Sequence, residues 1–234
     1  MEQEVRLNKF LSEAGVCSRR EADRMVERGR ILVDGIPAKM GQKVRPSQKI
    51  EVDHKVIQKE EEKILLAFNK PRGVVCTTSK KDKDNIVDYI DYGKRIYPIG
   101  RLDKDSEGLI LLTNQGELVD KILRGSNYHE KEYIVTVNKK ITPEFLRAMG
   151  SGVPILDTVT RACELEQIGP RTFRIILTQG LNRQIRRMCE YFSYRVIELT
   201  RVRVMNIRLG RLKKGTYRKI VGKELEELVK LLEE

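Results

Sequence analysis

The 234-residue chain reads as an α+β protein in two parts. A small N-terminal helical/β module precedes a larger domain with a mainly antiparallel mixed sheet flanked by helices. Three observations point there. Leu7, Phe10, Leu11 and Ala14 recur at the spacing of one helical face. From residue 64 onward, runs rich in aliphatic and β-branched residues alternate with helix-like segments. Between the two patterns lies the acidic run "KEEEK", residues 59–63, which suits neither and reads as a linker. The expected organisation is therefore a module over 1–58, a linker over 59–63 and a second domain over 64–234.

In the module, Gly15 closes the first helix. Ser18 opens the next, with Glu21 three residues on in the spacing of a capping box. Ala22, Met25 and Val26 give that helix its apolar face, and Gly29 is a natural stop. "ILVDGIPA" reads as a strand entering an Asp34-Gly35 turn, and "KIEV" as a second strand.

In the second domain "ILLAF", "GLILLT", "EYIVTV", "FRIILT" and "YRVIELTRVRV" read as strands. "GELVDKILR", "TPEFLRAMG" and "LNRQIRRMCEYF" read as helices, the second with Thr142 as cap and Pro143 at its first position. The C-terminal "KELEELVKLLEE" gathers Leu225, Leu228, Val229 and Leu232 on a face expected to pack on the sheet.

Composition narrows the function. Hydrophobic residues make up 40% of the chain, enough for a core, and the formal charge is +12. Such an excess favours a polyanionic partner, nucleic acid first. There is no run of about 18 apolar residues and no apolar leader segment, so a cytoplasmic protein is expected. Cys17, Cys76, Cys163 and Cys189 form no CxxC pair, and His54 and His129 stand alone. Unpaired thiols in a reducing compartment are expected rather than a zinc site.

Charge is concentrated in the module. Eleven basic residues face five acidic ones between Arg6 and Lys49. Arg19, Arg20, Arg24 and Arg28 surround the second helix away from its apolar face, which suits phosphate contacts. With Arg6, Lys9, Ser18 and Arg30 they form the module's candidate RNA-binding set. The stretch "RLNKFLSEAGVCSRREADRMVERGRILVDGIPA" resembles the RNA-binding domain named after ribosomal protein S-four. That resemblance implies structured RNA as partner but specifies no reaction.

"GRLDKDSEGLILLTNQG", residues 100–116, places Asp103 just before an apolar strand. A calcium loop is excluded, because its twelfth position holds Asn114 instead of Glu and a strand follows instead of a helix. A turn aspartate capping its own backbone is the plainer reading. The context argues for more. The stretch resembles the catalytic motif of RNA pseudouridine synthases of the RsuA/RluB/RluE/RluF type. "NKPRGVV", "HEKEYIVTV" and "TQGLNRQIRRMCEYF" resemble the family's other motifs in the same order, and Ser106 stands where many relatives have Thr.

The resemblance implies that a uracil is detached from ribose C1′, turned and rejoined through C5, with no metal, ATP or redox cofactor. It implies Asp103 as the catalytic carboxylate, Tyr133 as the active-site tyrosine and Arg186 as the basic partner of Asp103. Arg183, Gln184 and Arg187 are left for RNA, and Arg101 is placed to hold a flipped-out base. The segments look most like the RluF branch, which acts on 23S rRNA, with a tRNA anticodon loop as an additional target. A 16S rRNA site, another 23S site, or a non-catalytic rRNA assembly factor are the alternatives. A monomer is expected.

Overall fold

The computed structural model describes residues 4–58, 62–124 and 128–233. Residues 59–61 of the expected linker lie outside the described residues. Two compact units result. One comprises Met1–Ile64, Tyr92–Ile96 and Asn114–Gly116, and the other Leu65–Asp91, Tyr97–Thr113 and Glu117–Glu234. Two short segments from far along the chain thus join the N-terminal unit. Arg95 Nη1 donates to the Ser12 carbonyl at 2.9 Å. Asn114 Nδ2 donates to the Glu62 carbonyl at 2.7 Å.

The N-terminal unit runs β1 (Val5–Arg6), α1 (Leu7–Glu13), α2 (Arg19–Glu27), β2 (Ile31–Val33), β3 (Ile36–Pro37), β4 (Lys43–Val44), β5 (Ile50–Val52) and β6 (Lys55–Val56). Strands β3-β2-β5-β6 form one sheet, and β1 pairs with β4. Ser18 Oγ accepts from the Glu21 N–H at 3.2 Å, while the Glu21 carboxylate turns to Arg24. The expected capping box is therefore built on its serine half. Asp34 and Gly35 both take positive φ, 51° and 79°, as a two-residue hairpin turn with the twist of its strands requires. Leu7, Phe10 and Leu11 of α1 bury against Ala22, Met25 and Val26 of α2 and against β2 and β5.

The second unit contains β7 (Leu65–Lys70), α3 (Ile86–Ile90), β8 (Tyr97–Ile99), β9 (Glu107–Thr113), α4 (Gly116–Leu123), β10 (Lys131–Val137), α5 (Pro143–Gly150), β11 (Pro154–Ile155) and β12 (Thr158–Val159). It continues with β13 (Glu164–Gly169), β14 (Thr172–Leu177), α6 (Gln184–Tyr191), β15 (Val196–Val204), β16 (Ile207–Arg208), β17 (Tyr217–Lys219) and α7 (Gly222–Leu231). Seven of these strands form a sheet in the order β13-β14-β10-β15-β9-β7-β17, with β16 on β15 and β8 on β9. Every pairing is antiparallel except β15 with β9. The mixed, mainly antiparallel sheet is as expected.

Every residue of β7, and all of β9 after Glu107, is buried, which is why both read as continuous apolar runs. Thr142 Oγ1 caps α5 by accepting from Phe145 N–H, with Pro143 in the first turn. On α7, Leu228 is fully buried among β7, β9 and β16 residues. Val229, expected beside it, is 40% exposed, because one further residue rotates the side chain about 100° round the helix.

The parallel pair has a tight point. Gly108 lies opposite Arg201 with φ +103°, and a Cβ there would stand 2.8 Å from Arg201 N and closer still to its carbonyl oxygen. Both backbone conformation and space demand glycine. Gly108→Ala is expected to cost about 3 kcal/mol by urea unfolding. Gly210→Ala, at φ +55° in open space, should cost only about 1 kcal/mol.

Candidate active site

Asp103 sits in the loop between β8 and β9, with its side chain one-third exposed. Three hydrogen bonds donated by main-chain N–H groups fasten that loop. Leu102 N–H donates to Cys76 Sγ at 3.4 Å, Gly73 N–H to the Lys104 carbonyl at 2.8 Å, and Ser106 N–H to the Asp103 carbonyl at 3.0 Å. Residues on both sides of Asp103 are thus tied down while its carboxylate stays open to solvent. That combination suits a group that must meet a substrate at a fixed position.

Below the loop lies Lys70, fully buried, its Nζ donating to the Pro71 and Val74 carbonyls at 2.9 Å each. Burial pulls its pKa down, while Cys76, Asp105, Asp103 and Glu107 act to raise it. Glu107 is held by Lys214 at 2.9 Å and by Arg72 at 3.7 Å.

Helix α6 delivers the arginines. Arg183 occupies its N-cap with a positive φ of 49°. Its Nη1 stands 3.7 Å from Asp103 Oδ2 and 3.4 Å from Asp105 Oδ1. Arg186 was expected to pair with Asp103, but its side chain is only 9% exposed. Its Nη2 reaches the Asp105 carboxylate and carbonyl at 3.2 Å each and Ser106 Oγ at 3.3 Å, and Nη1 reaches the Val196 carbonyl at 3.5 Å. Arg183 is therefore the cation beside Asp103, and Arg186 is the clamp on the turn behind it. Asp105, absent from the expected site, joins the two.

Tyr133 enters through strand register. It lies opposite Arg201 of β15, which lies opposite Gly108 of β9, which lies opposite Lys70 of β7. Two inter-strand steps put Tyr133 about 10 Å from Gly108, and its ring packs against the cluster of Val135, Phe173 and Ile175.

The expected RNA contacts divide. Arg101 is exposed. Gln184 is 4% exposed and accepts from Leu181 N–H at 3.1 Å; it shapes the turn into α6 rather than offering itself to RNA. Arg187 Nε donates to the Asn182 carbonyl at 3.1 Å and braces the same turn.

In the N-terminal unit, considered by itself, Arg6, Arg19, Arg20, Arg24 and Arg28 are exposed. Arg24 is already paired with Glu21, Arg30 with Asp53 and Lys9 with Glu13. Arg19, Arg20 and Arg28 have no carboxylate partner among the described residues, and Ser18 serves as a helix cap.

Residues 64–191 match the family model described as RNA pseudouridylate synthase. The chain belongs to that family. Residues 5–50 match the S4 domain. The chain is 54% identical to the dual-specificity RNA pseudouridine synthase RluF of Escherichia coli O6:H1, across 98% of this chain and 80% of that one. It is 34% identical to the ribosomal large subunit pseudouridine synthase B of Bacillus subtilis, across 95% of each. A crystal structure of a pseudouridylate synthase superposes with a TM-score of 0.69 at 26% identity, covering 97% of this chain and 99% of that one. The protein is thus an RNA pseudouridine synthase, an isomerase with an S4 RNA-binding domain.

For a pseudouridine synthase built this way, the Arg186 clamp can be probed apart from the substrate. Arg186→Lys cannot reach both the Asp105 carbonyl and Ser106 Oγ, and is expected to lower turnover by about 100-fold. Ser106→Ala removes one acceptor and should cost about 1 kcal/mol of stability with a smaller activity loss. Paired turnover and unfolding measurements separate the two.

Proposed function

We propose that this enzyme isomerises uridine in 23S rRNA in the manner of RluF-type synthases, and that it also accepts a uridine of a tRNA anticodon loop. The observation that carries the reading is the gap between 54% identity to the relative named RluF and 34% to the relative named for a different large-subunit activity. The word "dual-specificity" in the former's name motivates the second RNA. The enzyme acts as a monomer in the cytosol, where its four free thiols persist in reduced form.

In this reading Asp103 acts on the ribose, either by attacking C1′ or by taking the C2′ proton. Both use its carboxylate as an anion, and the Arg183 guanidinium stands 3.7 Å from it. Tyr133 stacks on the extruded uracil. Arg186, through Asp105 and Ser106, keeps the loop in place as the sugar is attacked. Arg101, exposed two residues before Asp103, holds the space the base vacates. Extrusion costs a few kcal/mol, so a loop or bulge uridine is the cheaper target. Arg19, Arg20 and Arg28 contribute phosphate contacts.

Tritium at uridine C5 must be released when the base is rejoined through C5. Transcripts of 23S rRNA, 16S rRNA and tRNA so labelled test the reading. Release from 23S rRNA and tRNA by wild type, none from 16S rRNA, and none from any RNA with Asp103→Asn is the expected pattern. Release from 16S rRNA alone would overturn the target, and undiminished release by Asp103→Asn would overturn the role of Asp103.

A second measurement addresses the module. Replacing Arg19, Arg20 and Arg28 by Gln together should weaken RNA binding and lower the slope of log K against log salt by about three, one per lost phosphate contact. The same change at Arg24 and Arg30, which already have carboxylate partners, should lower it by less than one each.

A further inference from the structure

Arg201 stands apart from the other inward-lying arginines of the second unit. It is 4% exposed, and its one hydrogen bond among the described residues runs from Nε to the Leu109 carbonyl at 2.7 Å. Its two NH2 groups meet no carboxylate within 4.0 Å among the described residues. Arg186 has Asp105, Arg203 has Glu130 and Glu132, Arg174 has Glu132 and Glu166, and Arg218 has Glu224. A guanidinium does not shed its proton, so Arg201 carries an uncompensated charge in a place where charge is costly. Its charge acts on a second cation. Lys131, whose Nζ donates to the His129 carbonyl, has its pKa lowered by burial and by the charge of Arg201.

Place gives this cation a use. Arg201 lies directly opposite both Tyr133 and Gly108, and its charge also reaches the Cys76 thiol that accepts the N–H of Leu102, the residue before Asp103. If only the Leu109 carbonyl needed a donor, a neutral side chain would suffice. A phosphodiester is charged and hydrated throughout the reaction and follows the surface, so a guanidinium only 4% exposed is poorly placed to bind one.

We propose that Arg201, with Lys131 behind it, receives the negative charge of the uracil as it leaves the ribose. The proposal rests on the reading of Asp103 and Tyr133 given above. When the C1′–N1 bond breaks, its electron pair departs with the base, and the charge spreads over N1, O2 and O4. Asp103 satisfies the sugar, by bonding to C1′ or by taking the C2′ proton. The Arg201 NH2 groups donate to the anion while it turns. Carbon C5 then bonds to C1′, Asp103 is released or returns the C2′ proton, the C5 proton is lost, and N1 is protonated. The cation thus faces charge that exists only after bond breaking begins, so it acts on rate rather than on binding.

The test measures single-turnover isomerisation at saturating enzyme, RNA dissociation constants and thermal melting. Wild type is compared with Arg201→Gln, Arg201→Lys and Asp103→Asn, on RNA carrying uridine or 5-fluorouridine at the target. Rearranged nucleosides are quantified after digestion. Arg201→Gln is expected to slow uridine rearrangement by about 100-fold or more, with the dissociation constant within about 3-fold. Arg201→Lys should recover about 10-fold of that loss. Fluorine acidifies the ring and makes it a better leaving group, so the Arg201→Gln defect should shrink by about 10-fold on 5-fluorouridine. If Arg201→Gln does not fold, the ratio of the two leaving groups with Arg201→Lys carries the test.

A weakened dissociation constant with unchanged rate would make Arg201 a phosphate contact and overturn the proposal. Equal defects on both bases, in step with lowered melting, would make it structural and overturn it too. Asp103→Asn keeps the two readings distinct. If it turns over like wild type, the site itself is misassigned; if it is inert while Arg201→Gln is unimpaired, only the leaving-group role falls.

Discussion

The close passage of β15 beside Gly108 is the constraint on which the arrangement around Asp103 depends. Only at Thr200–Glu107 and Arg201–Gly108 do β15 and β9 pair, and this is the single parallel contact of the sheet. It brings two halves of the second unit side by side, the β7-β9 half bearing Asp103 and the β10-β14-β15 half bearing Tyr133. A side chain at Gly108 would push β15 away by the width of a methyl group. The register Tyr133–Arg201–Gly108–Lys70 would then be lost in one step. Because the pairing spans two residues, it has little redundancy, and the glycine substitutes for length with closeness. Arg186 closes the same junction from above, bonding to Asp105 and Ser106 at the start of β9 and to the Val196 carbonyl at the start of β15.

Much of this was legible in the amino-acid order, and the parts that were not share a physical reason. Helix α2, the Asp34-Gly35 turn, the capped helix α5 and the five apolar strands carry their signals in adjacent residues. Strand β13, "ELEQIG", does not, since it is an edge strand with most of its residues exposed and so lacks the alternation of a half-buried strand. The attachment of 92–96 and 114–116 to the N-terminal unit was equally invisible, because it arises from a few side-chain hydrogen bonds and an ion pair between residues far apart in sequence. At the candidate site, the family resemblance picked out Asp103, Tyr133 and Arg186 in the chain but not the groups they touch. The resemblance made Arg186 the partner of Asp103, yet its guanidinium is taken up by the turn of Asp105 and Ser106. Arg201 gave no separable signal, since "LTRVRV" alternates as any half-buried strand does.

The two units handle charge in opposite ways. In the N-terminal unit Arg6, Arg19, Arg20, Arg24 and Arg28 are exposed, where water and salt screen their charge. Acidic partners at Glu21 and Asp53 temper that surface by occupying Arg24 and Arg30. In the second unit three cations, Lys70, Arg186 and Arg201, lie inside, where screening by salt is weak. Lys70 is compensated by two carbonyls and by nearby carboxylates, and Arg186 by Asp105. Among the described residues the Asp103 carboxylate keeps only the longer contact to Arg183.

Arg201 follows from the same logic carried one step further. A fold gains nothing in stability from a buried cation without an anion, and sequences that need only packing at such a position have neutral residues of similar volume available. The cost is reduced here because the Leu109 carbonyl accepts a hydrogen bond from Nε, while burial and the charge of Arg201 pull the Lys131 pKa down. Two cations poised in this way make the empty site electrostatically unfavourable and the site holding a base anion favourable. The sign of that difference matters more than its size. It favours the state in which the glycosidic bond is open, and it holds the detached base within the site during the interval when the base has no covalent tie to the RNA.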